Sequence, residues 1–214
     1  MPSLVLAALA LQVAAMDDPA QRHEVCLDLI GQDAELAYEE ALVWRHQGGG
    51  WPSEHCVSLA LIALGQAEDG AARLRAAAEG AITASDMSRA IMFGQAGDGY
   101  MQAEAPQDAL RAFRRGLDFV PGETGLKRGV AEAALALDDA RTAETAASDA
   151  MASAETDADR AQALRLRARA RLELGALPAA REDVEAARSY APEAVDILLL
   201  RGRINEAIRQ QQPG

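Results

Sequence analysis

A pattern of small and large apolar residues recurring every 34 to 39 positions constrains this 214-residue chain more than any other feature. Its clearest copy reads Phe93-x2-Ala96-Gly97-x2-Tyr100, then Ala109-x3-Phe113, Gly116 and Pro121. A second copy places Leu164, Ala168, Gly175, Ala180, Val184, Ala187 and Pro192 at corresponding positions. A weaker one runs through Ala131, Ala134, Ala143, Ala147 and Ala150, and Ser58, Leu61, Gly65, Leu74 and Ala77 fit the same frame upstream. First positions at Trp51, Ala90, Thr124 and Ala161 give intervals of 39, 34 and 37 residues. The excess over 34 predicts lengthened loops at Gly80 to Asp86 and Thr156 to Arg160. Each copy holds two helical spacings separated by a breaker, so it forms a hairpin with one apolar face that its neighbours must cover. Ala and Gly stand where paired helices cross, because a small side chain lets the backbones approach, while Tyr100 and Phe113 fill the adjoining grooves. Gly175 accepts the left-handed conformation that ends a helix, and Pro121 and Pro192 stop the next turn.

These residues resemble the tetratricopeptide repeat from Trp51 to Pro192. The resemblance implies an all-α fold, a right-handed α-solenoid of antiparallel helix pairs, with about four repeats over residues 51–192. The two ends depart from the pattern. Residues 16–50, with Cys26, Leu29, Leu36, Ala37, Ala41 and Trp44, read as a degenerate helix pair that caps the array and ends in Gly48-Gly49-Gly50. Residues 193–214 read as a capping helix and tail, with apolar positions Val195, Leu198, Leu199 and Ile204.

The resemblance also implies a function, the binding of an extended peptide in a groove lined by the first helix of each pair. Carried over position by position, the groove takes Ile91, Gln95, Asp98, Met101 and Gln102; then Arg128, Glu132 and Leu135; then Gln162, Arg165, Arg169, Leu172 and Glu173; and Arg203 on the closing helix. Arg165 and Arg169 lie one turn apart and share a face. With Arg128 they form a basic track suited to carboxylates, including a peptide C-terminus. The family's two-carboxylate clamp of Lys and Asn is not reproduced. The competing reading has Arg165, Arg167, Arg169 and Arg171 alternating along a solvated helix and pairing with Glu132, Glu173 or Asp196.

Charge narrows the partner. The chain carries 21 basic and 33 acidic residues, a net charge of −12, so a nucleic acid is repelled on average. Residues 160–214 hold ten Arg against seven acids, which leaves the C-terminal third as the place for an anionic partner. No phosphate-binding loop, Gly-x-Ser-x-Gly or His-Glu-x-x-His occurs, and no cofactor signature is present. His23, His46 and His55 have no motif around them and read as surface or cap packing. Asp138-Asp139, Glu39-Glu40 and Glu182-Asp183 read as solvated faces.

The N-terminal run Leu4 to Ala15 has the length of a secretory h-region and ends on small residues, so residues 1–15 are expected to be a cleavable signal peptide. Against that, Met1-Pro2-Ser3 offers no basic side chain, and a first solenoid helix is the other reading. The run is too short to span a bilayer. Export favours a periplasmic or secreted bacterial protein over a cytoplasmic one. Cys26 and Cys56 then stand as a disulfide candidate, with free core thiols or a metal site shared with His23 and His55 as alternatives. The leading expectation is a non-catalytic scaffold or adaptor with no metal and no cofactor. The rivals are a self-associating structural subunit of an envelope complex and a metal-dependent enzyme.

Overall fold

The computed structural model describes residues 18–211, and every regular element among them is a helix. Eleven helices follow in order: α1 Pro19–Ile30, α2 Ala34–His46, α3 Gly50–Ala63, α4 Ala67–Gly80, α5 Asp86–Gln102, α6 Pro106–Phe119, α7 Thr124–Ala136, α8 Ala140–Ser153, α9 Asp157–Glu173, α10 Leu177–Tyr190 and α11 Val195–Gln211. The run expected to be a signal peptide, residues 1–15, lies outside the described residues. They divide into two compact units with the boundary at Ala105 and Pro106. The first holds α1 to α5 and the second α6 to α11.

Within each unit consecutive helices pack as hairpins, and alternate helices touch as well: α1 with α3, α7 with α9, and α9 with α11. That is the packing of a helical-hairpin array, in which each pair covers the apolar face of the next. The repeat positions are buried, among them Phe93, Ala96, Tyr100, Ala109 and Phe113. In the second unit Leu164, Ala168, Ala180, Val184 and Ala187 join Ile197, Leu200 and Ile204 in one cluster. Close approach is literal at Gly129, where an added Cβ would meet the Phe113 ring at 2.5 Å.

The turn inside each repeat is the same. Gly65, Glu104, Asp138 and Gly175 all have positive φ, at 83°, 56°, 58° and 74°. Each stands fourteen residues after a first position read from the sequence. The next residue's N–H then reaches back five places, from Gln66 to Leu61, Ala105 to Tyr100, Asp139 to Ala134 and Ala176 to Arg171, at 2.9 to 3.0 Å. This closing bond of the Schellman motif satisfies a carbonyl that the helix end leaves open. Glycine serves two of the four turns, and Glu104 and Asp138 adopt a conformation that costs a side chain about 1 kcal/mol.

Two expectations need correction. The sequence predicts a lengthened loop at Thr156 to Arg160, but helix α9 begins at Asp157. Thr156 caps it by accepting the Asp159 N–H at 3.1 Å, and Asp157 and Asp159 place negative charge on the first turn. Helix α5 gains a turn in the same way, with Ser85 accepting the Ser88 N–H at 3.0 Å. The second correction is the register of α11. Of Val195, Leu198, Leu199 and Ile204 only Ile204 is buried; Val195 and Leu199 are 68% and 66% exposed. The face turned inward carries Ile197, Leu200 and Ile204, which recur at helical spacing toward α9 and α10.

Candidate functional site

In the second unit the first helices of the pairs, α7, α9 and α11, carry Arg128, Glu132, Arg165, Arg169 and Arg203. Arg165 joins all three helices. It donates to Gln162 Oε1 on its own turn at 2.8 Å, reaches Glu132 of α7 at 3.4 Å and pairs with Asp196 of α11 at 3.0 Å. Arg128 lies 3.7 Å from Asp159, and Arg169 is 3.1 Å from Glu173. Arg203 is exposed. All three arginines of the expected basic track therefore face carboxylates of the same chain, Arg165 and Arg169 in the pairings of the competing reading and Arg128 with Asp159. Glu132 and Asp196 are about half exposed, at 47% and 49%, so these contacts are held in water and are weak.

The alternation Arg165, Arg167, Arg169, Arg171 is split between two faces of α9. Arg167 and Arg171 turn toward the second helices and grip Asp183 of α10. Arg167 donates twice in a fork, Nε to Oδ2 at 2.9 Å and Nη2 to Oδ1 at 2.7 Å, and Arg171 adds a third bond at 2.8 Å. Arg171 also donates to Glu144 of α8 at 2.7 Å. Fork hydrogen bonding to Asp183 is the largest influence raising the Arg167 pKa. Glu182-Asp183 is thus no solvated pair: Glu182 is exposed, but Asp183 is 4% exposed. Its place three residues after Ala180 and beside Val184, on the buried stripe, was the available signal.

The first unit offers a different chemistry. Of the expected groove residues on α5, Ile91 is 49% exposed, Met101 is half-buried, and Asp98 and Gln102 are exposed. Gln95 is engaged internally: its Oε1 accepts from His55 Nε2 at 2.7 Å, and His55 Nδ1 lies 2.8 Å from His23 Nε2. An amide oxygen can only accept, so His55 carries its proton on Nε2 and accepts at Nδ1 from the His23 Nε2–H. This is the arrangement open to two neutral rings, the form that burial favours. Burial lowers both pKa values; that of His23 falls to about 4, with repulsion from His55 as the second cause. Trp51 meets the His23 ring edge-on at 5.6 Å between centroids, and Trp44 is tilted at 6.3 Å.

Beneath these rings Cys26 of α1 and Cys56 of α3 form a disulfide, with Cα atoms 6.3 Å apart. Bonded sulfurs are not thiolate ligands, and among the described residues no three His, Cys, Asp or Glu side chains converge as a metal site. Nor is any described helix long and apolar enough to cross a membrane. Arg22, a residue sequence reasoning passed over, is buried under Trp44, its guanidinium 5.2 Å from the ring centroid. The degenerate cap has no repeat frame from which to read such a contact.

No protein-family model and no curated protein matches the sequence. Solved structures do. The TPR-like repeats of a kinesin light chain from Podosopora anserina superpose with a TM-score of 0.65 at 17% identity, covering 82% of this chain and 97% of that one. A thermophilic TPR protein of Thermus thermophilus covers 90% of this chain and 100% of its own at 14% identity, with a TM-score of 0.56. The second TPR domain of human RPAP3, in complex with the HSP70 peptide SGPTIEEVD, covers 56% and 98% at 21% identity, with a TM-score of 0.53. With its helix hairpins, its repeated left-handed turn and these superpositions, the chain has the tetratricopeptide-repeat fold.

Proposed function

We propose that this protein is a non-catalytic interaction module that holds an extended, carboxylate-bearing segment of a protein partner against the first helices α7, α9 and α11. The observation that carries this reading is Arg165, which one acidic residue from each flanking first helix approaches. Glu132 and Asp196 mark the places where a partner's carboxylates can sit, and both are exposed enough to be exchanged. The human RPAP3 domain, whose peptide ends in Glu-Glu-Val-Asp, supports the mode of binding. The absence of the Lys and Asn clamp argues for a partner other than a chaperone tail. A disulfide at Cys26 and Cys56 supports an oxidising compartment, the periplasm or the exterior of a bacterium.

The test is capture of an immobilised acidic peptide library by the wild-type chain and by Arg165→Glu with Arg169→Glu. Charge reversal lowers capture at least about tenfold while the circular dichroism spectrum stays unchanged. Equal capture removes the track. A second reading, self-association, draws on Tyr190, Val195, Leu198 and Leu199, which are 40 to 68% exposed. Light scattering that shows a constant mass across concentration eliminates it.

A further inference from the structure

Arg22 lies on the second turn of α1 and is only 6% exposed. Its Nη1 donates to Gln47 Oε1 at 3.0 Å, while Nε and Nη2 make no hydrogen bond. Those two nitrogens form the side-on edge of the guanidinium, whose N–H bonds point the same way and match the two oxygens of one carboxylate. The chain itself shows how that edge is used: Arg167 presents the same Nε and Nη2 to the two oxygens of Asp183. Burying a guanidinium without filling this edge is costly, since a desolvated charge needs its partners.

A complementary group lies in the same helix pair. Glu40 of α2 has a buried Oε2 that makes no hydrogen bond. Its charge acts on Arg22 through space. One buried fork thus lacks an acceptor while one buried carboxylate oxygen lacks a donor. Trp44 supplies a flat apolar wall beside the guanidinium, and Gln47, exposed at the start of the Gln47 to Gly50 turn, holds the remaining guanidinium nitrogen. This is the composition of a small polar ligand site: a few placed charged groups against aromatic surface.

We infer that Arg22, Glu40 and Trp44 form a binding site for a carboxylate that carries an N–H donor close to it, as in a free α-amino acid or the last residue of a peptide. The carboxylate takes the Nε and Nη2 edge of Arg22, and the N–H is directed to Glu40. Arg22 Nε and Nη2 are closed to water as the chain stands, so entry requires Gln47, the one exposed member of the set, to swing aside. The site is independent of Arg165 and Arg169, and charge reversal there leaves it intact.

Both tryptophans of the chain, Trp44 and Trp51, belong to this unit, so their emission reports on it. The experiment titrates the oxidised full chain with four probes: acetate, glycine, glycylglycine and glycylglycinamide. Saturable emission changes are expected with glycine or glycylglycine, at least about tenfold tighter than with acetate and with no response to glycylglycinamide. Glycine being tighter points to a free amino acid, and glycylglycine being tighter to a peptide terminus. Arg22→Gln abolishes the response and Glu40→Gln brings it down to the level of acetate. The inference is overturned if no probe titrates, if glycylglycinamide binds as well as glycylglycine, or if acetate does. The probe series uses the unaltered protein, so it decides the matter even where Arg22→Gln fails to fold.

Discussion

In residues 18–105 the ties between one helix pair and the next include a disulfide, two neutral imidazoles and two indoles, beside ion pairs such as Arg45–Glu54. In residues 106–211 the corresponding ties are an apolar cluster rich in alanine and arginine–carboxylate pairs such as Arg171–Glu144 and Arg165–Asp196, while Asp183 between Arg167 and Arg171 joins the two helices of a single pair. Every Cys, His and Trp of the chain falls within the first 56 positions. Two halves of one repeat architecture have thus solved the same packing problem by unlike means. An interior repeat is covered on both sides and needs only small residues where helices cross, with charges paired at the rim. A cap has one neighbour and a degenerate register, so it relies on a covalent bond and large rings. The first region answers to redox state and pH, the second to the removal of a charge.

The sharpest way to break this contrast is to open the disulfide. It closes a loop of about thirty residues, worth about 3 to 4 kcal/mol through the entropy of the unfolded chain. Cys26→Ala with Cys56→Ala is expected to lower amide protection in residues 18–105 by that amount and leave residues 106–211 unchanged. Equal losses in both, read by hydrogen exchange, mean that the two regions share one stability and that the contrast is only compositional.

Next in size is Asp183→Ala, which leaves Arg167 and Arg171 without their shared partner. Breaking a fully buried pair costs about 3 to 5 kcal/mol. Here the arginine side chains are 21% and 22% exposed, so water recovers part of it and about 2 to 3 kcal/mol remains. The loss belongs to residues 106–211, and tryptophan emission, which reports the other region, should keep its midpoint. A shift of that midpoint by the same amount sinks the assignment.

What could be read in the chain beforehand follows the same division. Where the repeat holds, each residue type stands at a fixed place on a fixed helix. Phe93, Tyr100, Ala109, Phe113, Ala180 and Val184 were legible as core, and the left-handed turns fall fourteen residues after the first positions assigned from sequence. Arg165 and Arg169 were legible as neighbours, since residues four apart share a helix face. Their partners were not settled, because Glu132 and Asp196 come from other helices and the choice between a groove and a solvated face depends on relative height along them. Asp183 was misread for a related reason: a carboxylate in a buried stripe is tolerated only when two arginines arrive from another helix, and sequence spacing within α10 says nothing of them. In the cap no register existed, and Arg22, His23, Trp44, His55 and Gln95 meet across four helices that sequence order leaves far apart.

The smallest expected effect concerns the imidazoles. His23 faces His55 and Trp51 from α3 and Trp44 from α2, and has Arg22 beside it on α1. Its pKa in the folded protein is about 4, against 6.5 when solvated. Between those values the unfolded chain binds a proton that the folded one refuses, so stability is greatest above pH 6.5 and falls as pH drops toward 4. The full shift would correspond to about 3 kcal/mol, and for a half-buried ring partly screened by water about 1 to 2 kcal/mol is expected. Charging His55 puts a proton on its Nδ1, which then faces the His23 Nε2–H donor to donor, whereas charging His23 at Nδ1 leaves its Nε2–H bond to His55 in place. Residues 106–211 contain no His and should hold their protection over the upper part of this range. His23→Gln keeps a side-chain donor for His55 while removing one titration. Denaturant midpoints followed by tryptophan emission from neutral pH to about pH 5 should therefore slope less in that variant than in the wild-type chain. An identical slope places the pH response elsewhere and leaves the disulfide as the feature that most separates the two regions.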